Sequence, residues 1–323
     1  MADTPMQQAH YQLIIIGGGP AGLTAGLYAS RGRLHVLLVE KGATGGQVIT
    51  TDWVDNYPGF VEGIGGFDLM DKMASHADRF GLPKKNASVQ ALELEEPIKK
   101  VILEDGSILT ADTIILCTGA KPQLLNIPGE YEFTGRGVAY CATCDGPFYR
   151  GQEVAVIGGG NTALQEALHL TKFADKVTII HRRDELRAAK ILQEKALAEP
   201  KINFLWNTQV TQIKGTRDTG VEELRLENVD GKESSLMVSG VFVFIGIAPN
   251  NALFASSSLK MDANGFLVTD EEMATSIPGV FAAGDIRSKH TRQIINAAGE
   301  GAVAELSAER YLSGQIPSPA ASP

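Results

Sequence analysis

The sequence predicts an α/β protein built from two Rossmann-like βαβ dinucleotide-binding domains, and three observations carry the prediction. A strand, glycine turn and helix open the chain at Tyr11; the same device recurs from Glu153; and an apolar strand near the C-terminus runs into Gly284 and Asp285 ahead of another helix. With 323 residues the chain has room for two domains of ordinary size, each with its own core. Hydrophobic residues make up 44% and charged ones 21%, a globular balance. No apolar run approaches the roughly 20 residues of a membrane helix, so no membrane partner is expected. The net charge of -9 counts against a nucleic-acid partner, because phosphate backbones require concentrated Lys and Arg. Any anion site must be local. The opening MADTPMQQAH has no charged n-region followed by an apolar h-region, so no export signal is read and a cytoplasmic location is expected. These ten residues and the tail SGQIPSPAASP read as disordered ends.

The first device is YQLIIIGGGPAGLTAGLYASRG, an apolar run that ends in glycines and passes to small and apolar residues at helical spacing. Gly17, Gly19 and Gly22 supply G-x-G-x-x-G: one glycine makes the turn, the next admits a pyrophosphate, and the third lets helix pack on strand. The helix N-terminus then faces the phosphates. A second strand, Leu34 to Val39, ends in Glu40, where a carboxylate can accept hydrogen bonds from a ribose diol. The alternative is a strand-end surface charge.

The second device, EVAVIGGGNTALQEALHL, has Gly158, Gly160 and Ala163 as G-x-G-x-x-A. The offset that separates Gly17 from Glu40 carries Gly158 to His181, at the end of the strand KVTII, followed by Arg182, Arg183 and Arg187. A basic cluster has replaced the acid. A charge about 4 Å from a phosphate is worth roughly 4 kcal/mol at an effective dielectric of 20. An acid there repels a 2′-phosphate, and arginine holds it by bidentate hydrogen bonds. The first site should therefore prefer FAD or NAD and the second NADP; the alternative is a solvated basic helix start. In the third feature, SIPGVFAAGD precedes the helix RQIINAAGEGAVAELSAERYL. Asp285 can bond a ribityl hydroxyl, and the helix start near Arg292, Gln293 and Ile294 directs its positive end at an anion.

Cys141 and Cys144 form a C-x-x-C followed at once by Asp145. One helical turn brings such sulfurs within bonding distance, a helix N-terminus lowers a thiolate pKa, and an adjacent acid can move the proton of thiol–disulfide exchange. The same spacing is half of a zinc site, but a second ligand pair is missing. Cys117, the remaining cysteine, lies in the apolar TIILCTGA with no partner at ligand spacing and reads as a buried small residue. No metal site is expected.

These residues resemble the small bacterial and plant type of NADPH-dependent thioredoxin reductase. The likeness runs from about Tyr11 to Tyr311 through GGGPAGLTAGLYASR, GGQVITTDWVDNYPGF, CTGA, CATCDG, HRRDELRA, SIPGVFAAGD and RQIINAAGEG, in the family's order. It implies FAD contacts at Gly17, Gly19, Pro20, Ala21, Glu40, Gly46, Gln47, Asn56, Thr118, Gly119, Gly284, Asp285, Arg292, Gln293 and Ile294. It implies NADPH contacts at Gly160, Asn161, Thr162, His181, Arg182, Arg183 and Arg187. It also implies a pyridine nucleotide-disulfide oxidoreductase fold in which an NADPH domain, 126–247, carries the C-x-x-C and is inserted into an FAD domain made of 1–121 and 251–323. The crossings fall near 121–127 and 245–250, which bear prolines as linkers do and would form a hinge. Electrons would pass from NADPH via FAD to Cys144, with Cys141 attacking oxidised thioredoxin and Asp145 exchanging protons. A homodimer through the FAD domain is implied as well. Two departures from the family pattern are Asn161-Thr162 in the second fingerprint and Pro147 in the docking loop; the second, with Arg136 and Phe148, bears on partner choice. The rival functions are a dithiol oxidase, which needs no NADP cluster, and a non-catalytic flavin-binding sensor, which needs no C-x-x-C.

Overall fold

The structure is a computed structural model that describes residues 9–51, 54 and 56–315. The outer parts of both predicted disordered ends, 1–8 and 316–323, lie outside the described residues, as do Asp52, Trp53 and Asp55 within the GGQVITTDWVDNYPGF segment. The chain divides into two compact units, Met1–Lys121 with Ala248–Pro323, and Pro122–Ile247.

The first unit opens with β1 (His10–Ile16), whose last four residues are buried and read as a continuous apolar run because both faces of the sheet are covered there, one by α-helices and the other by strands and loops. The chain turns at Gly17, with φ of +108°, where a β-carbon would overlap the Cys117 carbonyl. It enters α1 (Pro20–Arg31) with proline in the first turn, where no amide partner is lost. Next come β2 (Val36–Glu40), the amphipathic α2 (Gly66–Arg79), β3 (Lys84–Asn86), β4 (Val89–Glu93), β5 (Lys99–Leu103) and β6 (Ile108–Leu116). The sheet order is β3-β2-β1-β6-β5-β4. β2 begins at Val36, two residues later than the sequence suggests, and the His35 carbonyl just before it accepts from the amides of Gln12 and Leu13 in β1. Cys117 falls one residue beyond β6 and is buried.

After β7 (Ala120–Pro122) the second unit runs through β8 (Val138–Ala139), α3 (Ala142–Asp145), β9 (Glu153–Ile157), α4 (Asn161–Leu170), β10 (Lys176–Ile180), α5 (Lys190–Ala198) and β11 (Ile202–Leu205). An antiparallel sheet follows, made of β12 (Thr208–Thr216), β13 (Gly220–Asn228) and β14 (Glu233–Met237), and then β15 (Gly240–Val243). β11, β10, β9, β15 and β8 make a five-stranded parallel sheet in that order. The Arg182, Arg183 and Arg187 cluster lies in the loop between β10 and α5, so it is not a helix start.

The chain returns through β16 (Ile247–Pro249), which pairs with β7, and adds β17 (Val280–Ala282) and α6 (Ile294–Leu312) to the first unit. β17 pairs in parallel with the C-terminal half of β6, while the N-terminal half of β6 pairs antiparallel with β5. One side of a long strand is thus shared between two partner strands, while β1 pairs along the other. The sheet of the first unit buries one apolar cluster under α1, α2 and α6 and another on its opposite face. The second unit has two clusters of its own.

Candidate active site

In the first unit, register brings three strand ends to one edge. Leu116 pairs with Ile16 on one side and Ala282 on the other, so Gly17, Cys117–Thr118 and Ala283–Asp285 leave the sheet together. Ligands of open parallel sheets bind beyond such carboxyl ends. Gly19 stands open, with nothing within 4 Å of a built β-carbon, and Pro20 and Ala21 form the first turn of α1 behind it. Gly18 donates its N–H to Glu40 Oε2 at 2.5 Å, which fixes this carboxylate at the glycine turn. Gly46, with φ of +59°, starts a short 3-10 turn in which the Gln47 amide donates to the Ala120 carbonyl. Asn250 brackets the adjoining backbone: its side-chain amide donates to Thr118 O at 2.8 Å and its N–H to Gly119 O at 3.0 Å.

Two predicted contact residues hold buried polar atoms with no hydrogen-bond partner, Thr118 Oγ1 and Arg292 Nε, and the buried Asp285 Oδ1 is met only by the ammonium of Lys289. Such atoms are costly unless a ligand satisfies them. Burial pushes the Asp285 carboxyl up, and Lys289, whose Nζ lies 3.4 Å from Oδ1, offsets part of that. Arg292 sits 4.3 Å over the Phe266 ring and donates to the carbonyls of Lys289 and Arg287. Gln293, the cap of α6, accepts from Asn56 Nδ2 at 3.0 Å, which brings two predicted residues together just before Ile294. Sequence reasoning missed Glu300. Its carboxylate accepts from Gly284 N–H at 2.8 Å and pairs with Arg287 at 2.8 Å and Lys289 at 3.0 Å, clamping the Gly284 turn. The available signal was a lone acid among small residues on the helix.

The second unit repeats the device. Ile157 pairs with Ile180 and Val243, so Gly158, His181 and Phe244 share an edge. Gly158 has φ of +147°, and a β-carbon there would overlap the Phe244 carbonyl; Gly160 is open; Asn161 and Thr162 are exposed at the start of α4. Asn161 Oδ1 accepts from Ala189 N–H at 2.7 Å, and Arg187 N–H donates to Gly159 O at 2.8 Å. These bonds hold the loop that carries the arginines against the glycine turn. Arg182, Arg183 and Arg187 are exposed, whereas His181 is buried under Gly159 with Nε2 3.0 Å from Glu185 O. Burial pushes its pKa down, so the cluster's positive charge rests on the arginines.

Cys141 and Cys144 are joined by a disulfide with 5.3 Å between Cα atoms. Cys141 caps α3, and the Cys144 N–H points at its Sγ at 3.2 Å. Both sulfur-bearing residues are half-buried. Asp145 closes the turn by donating its N–H to Cys141 O at 3.0 Å. Tyr149, stacked edge-on against Phe242, is pushed up to about 12 by burial and then by the Asp145 charge. The Cys117 thiol is pushed far up by burial and by Glu300, which leaves it inert. The pair is thus a half-accessible disulfide on a short helix, suited to dithiol exchange. Phe148 is exposed beside it, and Arg136 donates to the Arg217 carbonyl at 3.1 Å. Among the described residues no group of three or more His, Cys, Asp or Glu is arranged to hold a metal ion, and no helix is long and apolar enough to cross a membrane.

Comparison with known proteins agrees with this arrangement. The family profile for pyridine nucleotide-disulphide oxidoreductases matches residues 11–301. A thioredoxin reductase of Listeria innocua is 45% identical over 302 residues, 94% of each chain. A bifunctional thioredoxin reductase/thioredoxin of Mycobacterium leprae is 47% identical over 315 residues, which span 97% of this chain and 68% of that one. Among solved structures, the thioredoxin reductase of Streptococcus pyogenes matches with a TM-score of 0.90 at 44% identity, over 95% of this chain and 100% of that one.

Proposed function

The chain belongs to the pyridine nucleotide-disulphide oxidoreductases, among the thioredoxin reductases, and on that footing we propose that it passes electrons from NADPH, through FAD, to the Cys141–Cys144 disulfide and on to oxidised thioredoxin. The observation that carries the proposal is a disulfide formed at the cap of a short helix, in the same unit as a dinucleotide edge rimmed by arginine. The strand-end edge of the first unit, with its orphaned polar atoms, supports FAD there. Bound flavin supplies a two-electron relay between a nicotinamide and a disulfide.

Gly17, Gly19 and the first amides of α1, with Pro20 and Ala21, would hold the FAD pyrophosphate, and Glu40 a ribose diol. Gly46, Gln47, Asn56, Thr118, Gly119, Gly284 and Asp285 would line the rest, with Arg292, Gln293 and Ile294 at the start of α6. Gly160, Asn161 and Thr162 would take the NADPH phosphates, and Arg182, Arg183 and Arg187 the 2′-phosphate, with His181 as the floor. After reduction, the Cys141 thiolate attacks the partner's disulfide and forms a mixed disulfide, and the partner's leaving thiolate takes a proton. Cys144 then displaces the partner as a dithiol and restores the Cys141–Cys144 bond. Asp145, the residue that follows Cys144, would give and recover these protons. The M. leprae fusion of a reductase with a thioredoxin supports thioredoxin as the partner. The family resemblance supports a homodimer and a cytoplasmic location.

The test is NADPH oxidation coupled to oxidised thioredoxin, with NADH alongside. Cys141→Ser should fall to background; full activity would overturn the proposal. Replacing Arg182 and Arg183 together by Ala should raise the KM for NADPH at least about tenfold and leave that for NADH unchanged. Equal changes would refute the 2′-phosphate role.

A further inference from the structure

α4 meets the redox helix along a stripe that contains one charged side chain. Ala163, Ala167 and Leu170, at positions i, i+4 and i+7, pack with Ala142 of α3 in one buried cluster. Gly146, just past α3, lies so close to Leu170 and Phe173 that a β-carbon would stand 3.2 Å from each. Glu166 falls inside the stripe, three residues after Ala163 and four before Leu170. Its carboxyl faces the backbone N–H groups of Ala142 and Thr143. These amides open α3 and have no partner within the helix. The next two are satisfied by Cys141 itself: Cys144 N–H by Sγ and Asp145 N–H by the carbonyl oxygen. Glu166 is half-buried, and burial holds its carboxyl above the usual range although the two amides pull it down.

We propose that Glu166 is a positioning residue for the Cys141–Cys144 couple, fixing the free amides of α3 and setting the balance between disulfide and dithiol. The proposal rests on the reading of this pair as the redox couple. Two effects act in one direction. Amides engaged by Glu166 are withheld from a Cys141 thiolate, and a carboxylate beside that thiolate repels it. Both disfavour the reduced pair, so removing the charge should favour it.

The full-length holoenzyme is equilibrated at pH 8 with mixtures of dithiothreitol and its cyclic disulfide, quenched in acid, alkylated under denaturing conditions and weighed by mass spectrometry. In this exchange dithiothreitol loses two electrons and two protons to become the cyclic disulfide, and Cys141–Cys144 gains them as two thiols. Glu166→Gln should shift the equilibrium toward the dithiol about tenfold, a potential about 30 mV more positive for a two-electron couple. Glu166→Asp, which keeps the charge, should stay within about threefold of the wild type, well under that 30 mV step. An unshifted Glu166→Gln, or a Glu166→Asp shifted as far as Glu166→Gln, overturns the inference while the redox couple stands. A wild-type pair that does not exchange at all overturns the redox reading and this inference together.

Discussion

Two carboxylates on one helix show how differently a half-buried and a buried acid can be treated. Glu300 of α6 is met by Arg287, Lys289 and the Gly284 amide. Glu305, further along α6, is 1% exposed, its Oε1 has no hydrogen-bond partner, and burial followed by Glu309 pushes its pKa from 4.5 up to about 7. The folded pKa lies above the unfolded one, so the folded state holds the proton more tightly. That contribution is fully present below about pH 4.5 and is lost as pH rises through about 7. Glu305→Gln should therefore raise the thermal midpoint at pH 8 by on the order of 5 °C and leave it nearly unchanged at pH 5. A gain of equal size at both pH values would show that titration is not the cause. Neither environment was legible from the sequence. INAAGEGAVAELSAERYL reads as small-residue packing, and only the neighbouring elements determine which acids lose water. The glycine turns, Asp285 and the C-x-x-C could be read because their roles follow from local geometry at fixed spacing.

At the scale of elements, the approach of α6 to α1 leaves no room for a side chain at one point. A β-carbon on Gly301 would overlap the backbone carbonyl of Ala21, whereas one on Gly299 would meet nothing within 4 Å. Gly301→Ala should cost about 1–3 kcal/mol in urea unfolding, as overpacking does. Gly299→Ala, exposed on the same helix, should be neutral or gain up to about 1 kcal/mol from helix propensity. Similar losses at both positions would place the cost elsewhere than in the α1–α6 contact. The two strand–turn–helix units were visible in the sequence because an apolar run followed by 3.6-residue spacing is a strong pattern. The antiparallel sheet β12–β13–β14 was not. A register shift between Val210 and Gln212 breaks the alternation of its first strand, so the two-residue period that marks a half-buried strand loses phase.

At the scale of the whole molecule, prolines in 121–127 and 245–250 mark the crossings in the sequence, and the compact units divide after Lys121 and after Ile247. Both clusters of the second unit draw only on residues within it. A fragment spanning 122–247 should therefore fold alone, with near-ultraviolet circular dichroism and a single cooperative urea transition. A broad melt without tertiary signal would show that the second unit depends on the first. The first unit has no such independence. Its strand β6 must pair with β17, and the entire second unit is encoded between them. During synthesis the middle of the chain is thus complete before the outer sheet can be finished, and the long loop closure comes last, the slowest kind of contact to form. The crevice expected to hold flavin needs strand ends from both sides of the insertion, so retained yellow colour would mark a chain that has been translated to its end and has closed.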